Sequence, residues 1–87
     1  MTYVVQVARG AQADTSAAKW FAADFRSTLD QAREAMAEKF SAKASAEDRG
    51  DDFVDEWERL ATAAKTADVG QVLVFDEYAV RIFEDAE

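Results

Sequence analysis

The residues that constrain the fold most strongly are Gln71–Glu84, QVLVFDEYAVRIFE, near the end of the chain. Two alternating apolar runs flank the pair Asp76-Glu77, and this pattern predicts a β-hairpin with those two residues as its loop. Leu73 then lies opposite Val80 on one face of the hairpin. Asp-Glu is an unusual pair for a tight primed turn, which favours Asn-Gly or Asp-Gly. The side chains predicted to share the buried face are those of Leu73, Phe75, Tyr78, Val80 and Ile82.

Three further elements follow from apolar spacing. The alternating run Tyr3–Ala8 predicts a first strand that ends at Arg9-Gly10. Spacing of three and four residues predicts a helix over residues 28–44. A second helix is expected to begin at Asp51 or Asp52, whose carboxylates would cap it, and to end near Ala67. Its predicted buried stripe consists of Phe53, Trp57, Leu60, Ala61 and Ala64.

Residues 15–27 fit two structures. The apolar residues keep helical spacing from Phe21 into the first predicted helix, so one helix of about thirty residues would explain the whole pattern. Ser27 with Asp30 resembles a capping box, which would start the helix at residue 28 and leave Trp20 to Phe25 for a strand. The alanines before and within this stretch favour the helix. We favour the strand.

The resulting fold is a single α+β domain covering residues 1–87. An antiparallel sheet of three or four strands, ending in the C-terminal hairpin, has two helices packed on one face. Two helices cannot cover both faces, and the second face is more apolar than solvent alone would favour. The residues predicted for it are Val4, Gln6, Trp20, Ala22, Asp24, Val72, Val74, Arg81 and Phe83.

Composition argues against several classes of function. The 87 residues include no Cys and no His, which removes a cysteine nucleophile, the usual general base and the usual transition-metal ligands. No cofactor motif is present, so the sequence predicts a protein that is not an enzyme and has no cofactor. Neither a secretion signal nor a membrane-spanning run is apparent. We therefore expect a cytoplasmic protein without a membrane partner.

Charge is concentrated in the second half of the chain. Residues 47–87 hold thirteen acids against four bases, whereas residues 1–46 hold five acids against six bases. The densest cluster surrounds Arg49 and consists of Glu47, Asp48, Asp51, Asp52, Asp55, Glu56 and Glu58. Its spacing does not follow a calcium loop, and no specific metal site is predicted. A solvated helix face would explain the cluster, but only Arg59 balances it, and a structural helix more often intersperses Lys.

The first functional hypothesis is an acidic protein-binding protein. Its carboxylates would occupy a basic groove of a nucleic-acid-handling protein in place of phosphates, and Trp20 and Val74 on the open sheet face would add specificity. In general character such a chain is similar to the phage anti-restriction and anti-CRISPR proteins. This similarity is one of composition and assigns no residue a role. Direct binding to nucleic acid is excluded by the sign of the charge, unless a cation bridges the two.

The second hypothesis is a structural or assembly module. The open sheet face would form a symmetric homodimer, and the acidity would serve solubility. The tripeptide Arg49-Gly50-Asp51 matches an integrin-binding motif, but a chain without an export signal or disulfides gives that match no functional weight.

Overall fold

Four strands and two helices make up the part of the chain that the computed structural model describes, residues 1–9 and 19–85. They follow the order β1 (Thr2–Arg9), β2 (Phe21–Arg26), α1 (Leu29–Ala46), α2 (Asp51–Ala64), β3 (Leu73–Phe75) and β4 (Tyr78–Asp85). The strands form one antiparallel sheet in the order β2-β1-β4-β3. The predicted α+β class is confirmed.

The C-terminal hairpin has the predicted register. Leu73 pairs with Val80, and Phe75 pairs with Tyr78 across the two-residue loop. Asp76 and Glu77 have φ angles of 52° and 63°, so both occupy the left-handed region that a primed turn requires. The loop is therefore the tight one, built from a residue pair that enters this conformation at a cost.

β2 is a strand, as favoured above, but it contains a bulge. Val5 pairs with Asp24 and Gln6 pairs with Ala22, so Ala23 has no partner. One extra residue reverses the alternation of side chains beyond it. Asp24 consequently shares a face with Val5, which belongs to the core, and the prediction that placed Asp24 on the open face is wrong. Phe25 takes that position.

The helix ends differ slightly from the predictions. The N-cap of α1 is Thr28, whose Oγ1 accepts a hydrogen bond of 3.1 Å from the backbone N–H of Gln31. The predicted Ser27 cap is wrong by one residue. α2 starts at Asp51 as predicted, but its N-cap is Gly50 and no side chain caps it, so the expected carboxylate cap is absent.

The C-terminal end of α2 comes at Ala64 instead of Ala67. The next three backbone N–H groups, of Lys65, Thr66 and Ala67, each donate to the carbonyl three residues earlier, at 3.2–3.3 Å. This tighter bonding replaces the α-helical pattern in the last turn and satisfies its carbonyl groups.

The core lies between the two helices and one face of the sheet. Its largest fully buried side chains are Phe40, Met36, Ile82, Val5 and Val80. The Trp57 ring joins α2 to the hairpin, because its centroid lies 4.9 Å from that of Phe75 and 6.0 Å from that of Tyr78. The predicted stripe of α2 is buried except for Phe53, which is partly exposed and packs against Phe75 at 5.9 Å.

Neither described helix is both long enough and apolar enough to cross a membrane.

Candidate protein-binding surfaces

Glu47 belongs to the acidic cluster in sequence but points inward in the structure. Its side chain is 4% exposed and accepts hydrogen bonds of 2.7 Å from Arg49 Nε and from Trp57 Nε1. The bonds from Arg49, and then the one from Trp57, lower the pKa of this carboxyl from 4.5 to about 2. The structure therefore places Glu47 outside the exposed acidic surface, in the connection between α1 and α2.

Arg49 ties that connection to the hairpin. Its guanidinium pairs with Glu47 and with Asp76 in the β3–β4 turn, and it lies 4.4 Å from the centre of the Phe53 ring. The two carboxylates raise the pKa of Arg49, and Arg49 in turn lowers the pKa of Asp76. Because the guanidinium is already held by these partners, the Arg49-Gly50-Asp51 tripeptide does not present a free arginine.

Glu56 is also neutralised. Arg59, one turn further along α2, donates to its carboxylate from Nε at 3.0 Å and makes a second contact through Nη2. This bidentate pair lowers the pKa of Glu56. Glu56 consequently adds little net charge to the surface.

The other five acids of the cluster form what we call the acidic face. All five are exposed and make no ion pair with a residue of the described ranges. Asp51, Asp55 and Glu58 follow one another at helical spacing on the side of α2 opposite the buried Trp57 and Leu60. The members of the acidic face are Asp48, Asp51, Asp52, Asp55 and Glu58.

Within residues 1–9 and 19–85, no group of three or more acidic side chains is arranged to hold a metal ion.

The open sheet face is the second surface of interest. Val4 pairs with Phe25 on one side and with Phe83 on the other. Val4 is only 5% exposed and lies outside the core cluster, whereas Phe25 is 62% and Phe83 46% exposed. Two phenyl rings therefore stand out from this face on either side of Val4. The sequence did not predict Phe25 here, because no residue type marks the bulge that redirects it.

Trp20 and Val74, predicted to contribute to a partner contact, lie apart on this face. The Arg81 guanidinium stacks 4.2 Å from the centre of the Trp20 ring and donates from Nε to Gln6 Oε1 at 2.8 Å. Val74 is 40% exposed on the edge strand β3. Trp20 is thus held in place by Arg81, and Val74 extends the apolar area toward the opposite edge of the sheet.

A shallow groove of about 490 Å³ lies at one end of the sheet, beside the β3–β4 turn. Its charged lining residues are two bases, Arg9 and Lys43, and two acids, Asp76 and Glu77. Since Asp76 is bound to Arg49 and the remaining charges are mixed, the groove does not select a ligand of either sign.

No protein-family model, curated protein or solved structure matches this chain. Function is therefore inferred from the acidic face and the open sheet face.

Proposed function

We propose that this protein is a cytoplasmic, non-enzymatic binding protein whose acidic face occupies a basic groove of a nucleic-acid-handling protein. In that groove it would replace phosphates and act as an inhibitor, in the manner of the phage anti-restriction and anti-CRISPR types. The observation that carries the proposal is a row of exposed carboxylates without cationic partners among the described residues.

The spacing of this row suits a phosphate-binding groove. Asp51 and Glu58 are seven residues apart, which in an α-helix is about 10.5 Å along the axis. With Asp52 and Asp55 between them, one carboxylate occurs about every 3.5 Å. A strand of DNA places one phosphate about every 3.4 Å along its axis. A groove lined with Lys and Arg to neutralise one strand would therefore meet a similar linear charge density.

The stability of the helix alone does not account for the row. Asp51 and Asp52 lie in the first turn of α2, where the helix dipole favours negative charge. Asp55 and Glu58 lie beyond that turn and gain little from the dipole. Asp51 and Asp55, four residues apart, repel each other by roughly 0.2–0.5 kcal/mol. Solubility is served equally well by acids spread among bases, so the clustering favours recognition of a basic partner.

The partner is expected to be a protein, because a surface of this sign repels nucleic acid directly. Charge complementarity would act mainly on the rate of association, which long-range attraction increases at low salt. The aromatic and aliphatic side chains of the open sheet face lie on the other side of the sheet, so they would not share one groove with the acidic face.

The test uses two variants with matched charge. The α2 reversal replaces Asp51, Asp55 and Glu58 with Lys; the α1 reversal replaces Asp30, Glu34 and Glu38 with Lys. All six residues are exposed, and each variant changes the net charge from −8 to −2, since three reversals change it by six. Each variant also alters one acid in the first turn of its helix.

The immobilised protein is used to capture proteins from a bacterial lysate at low salt, with and without duplex DNA as competitor. The proposal predicts capture of a basic nucleic-acid-binding protein that DNA displaces, that the α2 reversal loses and that the α1 reversal retains. If both reversals lost the captured protein equally, binding would depend on net charge alone and not on the acidic face. Captured proteins that DNA does not displace would contradict phosphate mimicry.

A further inference from the structure

We propose that the open sheet face is the interface of a weak symmetric dimer, in which a second copy of this chain packs against it back to back. The proposal goes beyond the binding of a basic partner and does not depend on it. It rests on three observations: apolar side chains protrude from the face, few charged residues lie on it, and the two edge strands are a bulged strand and a very short strand.

The protruding rings give the face its apolar contact. Phe25 and Phe83 flank Val4 on the strands to either side of it, and Val4 is buried between them while both rings are exposed, so the three side chains form one continuous apolar patch. Large apolar side chains exposed to this extent on one continuous face are typical of a contact surface. Across a two-fold axis, the two rings of one copy can pack against the two rings of the other.

The distribution of charge favours a second copy as the occupant. The described residues on this face include one base, Arg81, which is already bound to Trp20 and Gln6, and one acid, Asp85, at the end of β4. The acidic face lies on α2, on the other side of the sheet. Two chains of net charge −8 can therefore pair through this face while their acidic faces remain far apart.

The area of the face sets the expected strength. The four strands contain 25 residues, which at about 3.3 Å per residue and 4.8 Å between strands cover roughly 400 Å² of sheet. Two copies bury about twice that area, and somewhat more because the rings protrude. This lies near the lower limit of specific interfaces, about 1,000 Å² in total, so the dimer should form in a concentration-dependent way.

The sheet edges are unsuited to pairing between copies. β2 is interrupted by its bulge, and β3 contains only three residues. Bulges and very short strands are features that prevent the addition of another strand at an edge. Association through the face is therefore favoured over a continuous sheet of eight strands.

Strand β2 supplies a matched control for the test. Phe21 and Phe25 are 60% and 62% exposed on the same strand, but Phe21 pairs with Val7 on the helix-bearing face, whereas Phe25 pairs with Val4 on the open face. Phe21→Glu and Phe25→Glu therefore add the same charge to the same strand at similar exposure but on opposite faces of the sheet. Phe83→Glu tests the open face independently from β4.

The measurement is molar mass by sedimentation equilibrium, from about 1 μM to about 500 μM in moderate salt. The wild-type mass should rise from 9.6 kDa toward twice that value. Phe25→Glu and Phe83→Glu should each raise the dissociation constant at least about 100-fold, because the substitution occurs twice in the interface and central aromatic residues contribute most to binding. Phe21→Glu should change it less than threefold.

Three results would overturn the proposal. One is a wild-type mass of one chain at every concentration. Another is a dimer that survives both Phe25→Glu and Phe83→Glu, and the third is a dimer that Phe21→Glu dissociates as effectively. Thermal melts of each variant monitor folding, and where a Glu variant melts early, Phe25→Ser or Phe83→Ser at the same position replaces it with the same expected direction.

Discussion

Glu47 belongs to the acidic cluster in sequence but has a structural role in the folded protein. Its carboxylate accepts five hydrogen bonds, three from Arg49, one from the backbone of Asp48 and one from Trp57. These bonds join the α1–α2 connection to the core through the Trp57 ring. From the sequence, Glu47 was predicted to be exposed with its acidic neighbours. Charge and chain position do not indicate which carboxylate accepts a hydrogen bond from the buried Trp57.

Glu47 should make stability depend on pH at acid values. The carboxyl titrates at about 2 in the folded protein and at 4.5 without the bonds from Arg49 and Trp57, so the unfolded chain binds more protons between these values. The free energy of unfolding should therefore fall as the pH is lowered from about 5 to 2. In Glu47→Gln, which keeps an acceptor for Trp57 but loses the charge, this dependence should be weaker. Urea unfolding followed by Trp fluorescence at several pH values measures it.

Asp48→Asn is the control for this prediction, because it removes the same charge from the adjacent, exposed residue. It should keep the acid dependence of the wild type. Equal slopes for Glu47→Gln and the wild type would show that Glu47 does not carry the effect.

Among the elements, the hairpin was the easiest to predict and β2 the hardest. Strict alternation on both sides of Asp76-Glu77 permits only one register that buries a complete face, and that register is observed. Nothing in the sequence indicates the bulge in β2, because Ala22 and Ala23 are both small and either can be the unpaired residue. The start of α1 was missed by a single residue because Ser27 and Thr28 are both good caps, and its end lies two residues beyond the predicted Ala44.

The β3–β4 turn offers a stabilising substitution. Glu77 has a φ of 63°, is exposed, and makes no side-chain hydrogen bond or ion pair with a described residue. Glu77→Gly removes the cost of the left-handed conformation, roughly 1 kcal/mol, and gives the Asp-Gly pair that a primed turn favours. The melting temperature should rise by about 4–8 °C, as measured by circular dichroism.

Glu84→Gly is the matched control, because it removes the same charge from a residue of β4 that pairs with Tyr3 in β1. There glycine is unfavourable and the melting temperature should fall. A decrease for Glu77→Gly as well would show that the turn does not have the primed geometry.

For the molecule as a whole, negative charge is concentrated on one part of the surface. Helical spacing alone predicted that Asp51, Asp52, Asp55 and Glu58 face solvent, and they do. The pairing of Arg49 with Asp76 joins residues 27 positions apart, so only the folded chain reveals it. Of the seven clustered acids, Glu47 is paired with Arg49 and Glu56 with Arg59, and the other five remain to repel one another.

This repulsion should make stability depend on salt. Raising NaCl from about 20 mM to about 200 mM shortens the screening length from roughly 20 Å to 7 Å, which weakens repulsion in a chain of net charge −8. The melting temperature of the wild type should rise by a few degrees, and that of the α2 reversal should rise less. A steady decrease over this range would mean that attractive pairs such as Arg49–Asp76 dominate the electrostatics of the fold.

The central claim is that the acidic face binds a basic groove, and the salt dependence of binding tests it most directly. For the captured partner, the dissociation constant is measured against salt concentration for the wild type, the α2 reversal and the α1 reversal. We expect a steep loss of affinity with salt for the wild type and the α1 reversal. The α2 reversal should bind at least tenfold more weakly at low salt, with a flatter slope, because its lysines repel the groove. Unchanged affinity and slope in the α2 reversal would contradict the claim and leave the acidic face a solvated surface.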